Sequence, residues 1–350
     1  MTPLTQTATW REIHAQPAIW QDWAVAFDAA PIKTWVAGLA VDEVWFCGAG
    51  SSAYIGDIML AELEGHRGPR FRAVPTTDLV ARPHAYLTSR RPLIVNFGRS
   101  GNSAETIGTL DALDVLAPHT PRLNITCNAG SALGLRTATH QRTIILPPAT
   151  HDAGFAMTSS LTTMLLTALS IFATPPDLPA LASHLTRLLP TFTAHAATAR
   201  TPDRVAFVGA GPLAFAAREA ALKVMELSAG AIPALWDSTL GFRHGPKSFV
   251  RGATDIYVFG AAHPHTARYD ADLVAELRTQ FPASITTLVG PGGDIDMPTD
   301  GPAVTLPITL AQILAATWSH RLNLPVDDPF AGLGTLSRVV SGVQLYPVTA

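Results

Sequence analysis

The sequence predicts an α/β protein of two tandem doubly wound parallel-sheet domains, each a three-layer αβα sandwich, behind an N-terminal helical arm. Three observations carry this. Short, almost wholly apolar runs alternate with helical patterns, as in a parallel sheet covered on both faces. A glycine turn recurs: Phe46-Cys-Gly-Ala-Gly50 returns 161 residues later as Phe207-Val-Gly-Ala-Gly211, each time ahead of a helical pattern. A chain of 350 residues is also long for one layered domain and comfortable for two.

Residues 1–40 form the arm, where Trp10, Trp20, Trp23 and Trp35 among helix formers predict an aromatic face turned to the core or to a neighbouring subunit. Residues 41–195 form the first domain, with strand-like runs VWFCG, FRAVP, LIVNF, RLNITCN and TIILP. Leu161 to Ala173 reads as a buried core helix, because Pro175 and Pro176 stop it too early to cross a bilayer. The Pro-rich TPPDLPALASHL and the helix after it link the halves. Residues 196–350 form the second domain and its tail, with strand-like runs VAFVG, IPALW, DIYVFG, ITTLVG and VTLPI.

Composition narrows the function. A hydrophobic fraction of 47% with 15% charged residues describes a compact globular chain, and a net charge of -3 supplies no basic field for nucleic acid. Cys47 and Cys127 each lie in an apolar run, which favours buried free thiols over a disulfide. The opening MTPLTQTATWREIHAQP lacks the basic and apolar regions of a signal peptide. The expectation is a cytoplasmic protein that acts on a small molecule, with no membrane or nucleic-acid partner.

Two strand-end turns look built for an anion. Gly48-Ala-Gly-Ser-Ser-Ala-Tyr54 offers Gly50, Ser51 and Ser52 at the start of a helix, where backbone N–H groups are free. The glycines alone fit a tight turn equally well. Asn96-Phe-Gly-Arg-Ser-Gly-Asn-Ser-Ala-Glu-Thr106 adds Arg99, Ser100, Asn102 and Ser103. Ligands in open α/β sheets bind beyond the carboxyl ends of the strands, so both turns should face one crevice. Neither turn has the P-loop Gly-Lys-Ser/Thr triplet or a complete G-x-G-x-x-G, which favours a small phosphorylated ligand over a nucleotide.

A third candidate is Arg218-Glu-Ala-Ala-Leu-Lys-Val-Met-Glu226, whose Glu219, Lys223 and Glu226 share one helix face. That spacing also fits a solvated face with an ordinary Glu–Lys pair. The following loop carries Arg243, His244 and Lys247 between Gly and Pro residues. His263-Pro-His265 lacks a third ligand at a convincing spacing, so no metal is assigned.

At this point the chain resembles the sugar-isomerase (SIS) family, in its galactosamine-6-phosphate deaminase or tagatose-6-phosphate ketose/aldose isomerase branch. The resemblance rests on GRSGNSAET, GFAMTSS at 154–160, REAALKVMELSAG and DSTLGFRHGPKSFV, and runs from TWREIHAQPAIW to LSRVVSGVQLYP. The isomerase half of glucosamine-6-phosphate synthase is similar, more distantly. The resemblance implies tandem SIS domains, no cofactor, and a hexose 6-phosphate held at Ser51, Ser52, Ser100, Asn102 and Ser103. It implies that Glu226 shuttles a proton between the first two carbons, with Glu219 and Lys223 at the other functional positions of its helix. His244 falls on a ring-opening histidine contributed by a neighbouring subunit, which implies a homodimer or higher homo-oligomer with a shared active site. Phe155 and Ala156 line the pocket, joined by Gly50, Arg99 and Arg243. Two features depart from the synthase: Gly98 replaces a frequent serine, and the tail offers Arg338 in place of a lysine. The reaction implied is deamination of galactosamine 6-phosphate to tagatose 6-phosphate, with simple isomerisation, glucosamine-6-phosphate deamination or phosphosugar sensing as alternatives.

Overall fold

The five apolar runs of the first half pair as parallel strands β1 (Glu43–Cys47), β2 (Arg70–Ala73), β3 (Pro92–Gly98), β4 (Arg122–Thr126) and β5 (Gln141–Ile145). Their spatial order is β2-β1-β3-β4-β5. Every residue of β1, β3 and β4 is buried, while the edge strands β2 and β5 are partly open. Continuous apolar runs therefore mark the strands covered on both faces. In the second half β6 (Arg204–Gly209), β7 (Ala234–Ser238), β8 (Thr254–Phe259) and β9 (Ile285–Val289) form a parallel sheet in the order β7-β6-β8-β9. The computed structural model describes residues 2–87, 91–334, 336–340 and 342–349.

The helices, in chain order, are α1 (Ala8–Ala26), α2 (Ala30–Ala37), α3 (Ser51–Glu62), α4 (Thr76–Ala81), α5 (Pro83–Leu87), α6 (Ala104–Leu116), α7 (Ala132–Leu135), α8 (Ser159–Phe172), α9 (Leu178–Thr198), α10 (Pro212–Leu227), α11 (Pro264–Gln280) and α12 (Thr305–Arg321). Two compact units result. One holds residues 19–152, 159–176 and 334–350, and the other holds 1–18, 153–158 and 177–333. Helix α9 thus groups with the second sheet and the tail with the first, so the units interleave along the chain. In each sheet the strand order reverses beside the first strand of its half, between β1 and β3 and between β6 and β8. Those are the switch points where an open α/β sheet leaves room for a ligand.

Helix α1 buries Thr9, Ile13, Gln16, Trp20 and Trp23 along one stripe. Pro17 lacks the N–H that would reach the Ile13 carbonyl, and the Gln16 amide donates to that oxygen instead, at 3.0 Å. The aromatic face of the arm is core at Trp10, Trp20 and Trp23, whereas Trp35 is half-buried beneath the Arg142 guanidinium. Helix α8 is buried from Ser159 to Ile171, as its composition predicts. Its hydroxyls bond back into the helix, Thr167 to the Thr163 carbonyl and Ser170 to that of Leu166. Both cysteines are free and buried, and burial pushes the Cys127 thiol up to about 12, so neither is a nucleophile at neutral pH.

One expectation fails. VTLPI is not a strand: Val304 closes a short 3-10 turn and Thr305 opens α12. The apolar run continues for 17 residues, which a strand of this sheet cannot use, and Pro307 sits in the first helical turn, where its missing N–H has no partner to lose. Gly301–Arg321 is apolar and long enough to cross a membrane, yet 89% of its most apolar window is buried within the protein.

Candidate active site

The two glycine turns share one backbone shape. Gly50 and Gly211, which cap α3 and α10, take φ/ψ of 56/-131° and 56/-129°, a left-handed region open to glycine. A Cβ on Gly48 would lie 2.5 Å from the Ser52 backbone, and one on Gly209 would lie 2.7 Å from that of Leu213. Only the first copy then carries hydroxyls. Ser51 and Ser52 open α3, whereas Pro212 and Leu213 open α10. Hydroxyls and free helix-start N–H groups therefore stand together only at the first turn, at the carboxyl end of β1.

The second turn follows β3, the neighbour of β1 across the switch point. Gly101 adopts φ +63° with Ser131 Oγ only 2.3 Å from where a Cβ would stand. The Ser100 hydroxyl accepts from the Asn102 N–H at 3.3 Å, and the Ser103 hydroxyl, at the N-cap of α6, pairs with Thr106 at 2.7 Å. A Cβ at Gly98 would press on Leu133 Cδ2 at 3.0 Å and Gly101 Cα at 3.3 Å, so a serine would crowd the turn. The Asn102 side chain accepts from the Ala132 N–H at 2.8 Å, which ties the turn to the start of α7.

In the unit of the second sheet, α10 carries Glu219, Lys223 and Glu226 in line. Lys223 is wholly buried, with its ammonium 3.3 Å from Glu219 Oε1 and donating to Glu226 Oε2. The Glu219 side chain is 0% exposed and that of Glu226 is 22% exposed. Glu226 is therefore the member of the line that a ligand can reach. The solvated-face reading does not survive.

The loop after β7 is pinned by Phe242, buried against Ala206, Val208 and Ile256. Arg243 pairs with Glu276 of α11 at 3.0 Å, and Lys247 donates to the other oxygen of the same carboxylate. Arg243 is thereby committed to holding the loop. His244 lies exposed and makes no side-chain hydrogen bond among the described residues. His263, the N-cap of α11, accepts from the His265 N–H at 3.3 Å, which gives that pair a capping role.

Arg99 and Arg338 also meet the backbone. The Arg99 guanidinium donates to the Arg338 carbonyl at 2.9 Å, and that of Arg338 donates to the Asp152 carbonyl at 3.2 Å. Phe155 is half-buried with its ring 5.0 Å from that of Phe330, and Ala156 is buried. Three supports went unseen in the sequence. Asn128, in the turn after β4, donates to the Ser100 carbonyl at 3.2 Å. The buried Asn96–Asn124 pair, 2.9 Å apart, ties β3 to β4 below the turn. Asp152 caps α8 by accepting from the hydroxyls of Ser159 and Ser160 at 2.6 and 2.5 Å. NAGS at the end of an apolar strand was the available signal for the first.

Comparison with known proteins adds four likenesses. Residues 41–174 match the SIS domain family model. The chain is 37% identical to D-galactosamine-6-phosphate deaminase AgaS of Escherichia coli, over 97% of this chain and 96% of that one. Its structure superposes on the crystal structure of tagatose-6-phosphate ketose/aldose isomerase from Escherichia coli with a TM-score of 0.87 and 33% identity, covering 99% and 98% of the two chains. The C-terminal domain of glucosamine-fructose-6-phosphate aminotransferase from Francisella tularensis shares the fold, with a TM-score of 0.77 at 16% identity over 92% and 98%.

The Glu276 anchor generates a pH prediction. The hydrogen bond from Lys247, more than any other influence, holds the Glu276 carboxyl below its ordinary value of 4.5. Its folded value lies below its unfolded one, so the pairing stabilises fully above pH 4.5 and is lost as pH falls through the depressed value. Amide exchange of residues 241–249, measured against pH by mass spectrometry, should quicken below that point. Glu276→Gln should quicken it already at pH 7; exchange equal to wild type there would remove the anchor.

Proposed function

The chain belongs to the SIS domain family, and from that premise we propose that it converts D-galactosamine 6-phosphate to D-tagatose 6-phosphate and ammonia. The protein is an enzyme, and the observation that carries this reading is Glu226. A carboxylate with one partly open face, steered from behind by a wholly buried ammonium, is placed to take and return a proton.

The serine turns of Ser51, Ser52, Ser100 and Ser103 hold the 6-phosphate with hydroxyls and helix-start N–H groups. His244 moves the ring proton that opens the hemiacetal, giving the aldehyde at the first carbon. Glu226 removes the proton on the second carbon, the electron pair forms the carbon–carbon double bond of an enolamine, and the aldehyde oxygen takes a proton from solvent. Return of that proton to the first carbon leaves an iminium at the second. Water adds there, ammonia departs, and the ketone of tagatose 6-phosphate remains. Lys223 orients the Glu226 carboxylate, and Glu219 holds Lys223 from the opposite side. No cofactor enters any step.

Simple ketose/aldose isomerisation is the second reading, favoured by the name of the solved Escherichia coli isomerase. It uses the same proton transfer on a substrate with a hydroxyl at the second carbon, and ammonia production separates the two. The exposed His244 supports a homodimer in which a second copy completes the site, and the reading places the enzyme in the cytoplasm.

Glu226→Gln keeps the size and hydrogen-bonding capacity of the side chain while removing the base. Ammonia release and solvent-deuterium exchange at the second carbon should fall together by about 10²–10⁴-fold with little change in KM. Exchange near the wild-type rate would send the search for the base elsewhere. Ser100→Ala with Ser103→Ala should raise KM strongly and abolish the preference for phosphorylated sugar; an unchanged KM refutes the phosphate assignment. Mixed Glu226→Gln and His244→Ala chains should regain activity once subunits exchange, whereas no recovery after demonstrated exchange places both groups in one chain.

A further inference from the structure

The loop 153–158 has no helix or strand of its own, yet several of its backbone groups are taken by side-chain and main-chain groups far away in sequence. Glu12 of α1 accepts from the Ala153 N–H at 2.6 Å and from the Gly154 N–H at 3.3 Å. The Phe155 N–H donates to the Asp327 carbonyl at 2.9 Å. Asp327 in turn caps α1, its carboxylate accepting from the N–H groups of Ala8 and Thr9 and from the Thr9 hydroxyl, each at 2.8 Å. At the far end of the loop the Thr158 carbonyl accepts from Gln312 at 3.5 Å, and Gln312 accepts from Gln16 at 3.0 Å. Thr9, Glu12 and Gln16 fall at i, i+3 and i+7, on one face of α1. That face spends three polar side chains on a single loop and its clasp. Space is equally constrained, since a Cβ on Gly154 would lie 2.3 Å from the Thr9 hydroxyl and 3.2 Å from Glu12 Oε2.

A buried backbone N–H needs an acceptor, but water or a neighbouring carbonyl would serve for stability alone. A charged acceptor bonded to two successive N–H groups fixes position more strictly, because charge-assisted bonds are the stronger ones. We infer that Glu12 and Asp327 are positioning residues that set the Gly154–Phe155–Ala156 backbone against the sugar, and that the N-terminal arm thereby governs recognition of the substrate. The inference rests on the phosphosugar reading above. It assigns the arm a part in binding the sugar and none in binding the phosphate.

The test compares wild type with Glu12→Ala, Glu12→Gln and Gly154→Ala in steady-state kinetics and in calorimetric binding of galactosamine 6-phosphate and of inorganic phosphate. Glu12→Ala and Gly154→Ala should each weaken the sugar phosphate about tenfold, as displacement of a positioned group does, and leave inorganic phosphate unchanged. Glu12→Gln keeps one acceptor oxygen and should recover most of the loss. If Glu12→Ala fails to fold, Glu12→Gln and Gly154→Ala decide the matter. Unchanged sugar-phosphate affinity in the folded variants, or equal loss of both ligands, overturns the inference. A wild type that binds the sugar phosphate without releasing ammonia would defeat deamination while the affinities still judge the clamp. A wild type that binds no phosphosugar defeats both.

Discussion

Lys223 brings a charge to a place without solvent, and the second half of the chain is arranged around that fact. Removing an ammonium from water costs several kcal/mol even after the protein relaxes, and a lone buried lysine would give up its proton. Glu219 and Glu226 flank Lys223 because helical geometry sets them one turn to either side of it. Helix α10 must therefore stay regular as far as Leu227. It ends at once afterwards, where Ala229 takes φ +47° and the Gly230 N–H closes on the Met225 carbonyl. Glu226 thus sits in the last helical turn, where the helix dipole disfavours a carboxylate. Lys223 offsets that too. Loss of Lys223 would leave the buried Glu219 carboxylate beside Glu226 without its cation, so the line behaves as one object.

The tandem glycine turns show how one backbone serves two kinds of chemistry. Their dihedral angles agree within 2°, and in both the first glycine is required by the close approach of the following helix. Function separates at the next two residues. Ser51 and Ser52 keep hydroxyls and N–H groups at the start of α3, while Pro212 removes an N–H and Leu213 adds an apolar surface at the start of α10. The second copy lacks hydroxyls at its helix start and carries its charged groups further along the same helix. Duplication followed by divergence at helix termini requires no change in the sheet.

Much of this was legible because it is local. The apolar runs, the glycine turns and the i, i+4, i+7 line each declare themselves within a dozen residues, and nine of the ten runs named above overlap strands, with β1, β3, β4 and β8 buried throughout. VTLPI misled because five residues of a long apolar helix look like a strand when cut out, and only the continuation to Trp318 shows the difference. The pairing of Arg243 with Glu276 was not legible, because Glu276 lies on a helix 33 residues further on, which no spacing rule connects. Glu12 and Asp327 were invisible for the same reason. Their partners are backbone groups of a remote loop, and backbone groups leave no mark in a sequence.

The tail explains how the phosphate turn is held without spending its own cation on a ligand. Arg99 stands within the turn and is 7% exposed, and its guanidinium donates to the Arg338 carbonyl. Arg338 fastens the same stretch to Asp152, and the Val340 carbonyl accepts from the Ala104 N–H at the start of α6. Beyond this, Leu345 packs over Gly108, where a Cβ would meet it at 3.0 Å, and Val348 joins the cluster around Trp45, Leu79 and Leu113. The turn is thus braced from the tail side by main-chain bonds and from the other by Asn128. On the phosphosugar reading, the groups proposed to meet the phosphate include serine hydroxyls and helix-start N–H groups at the ends of β1 and β3. Neutral donors fixed in direction recognise the shape of a phosphate, and a guanidinium left loose beside them would attract any anion regardless of shape. Tying Arg99 into the backbone makes the geometry of the serine turn depend on residues more than two hundred positions away.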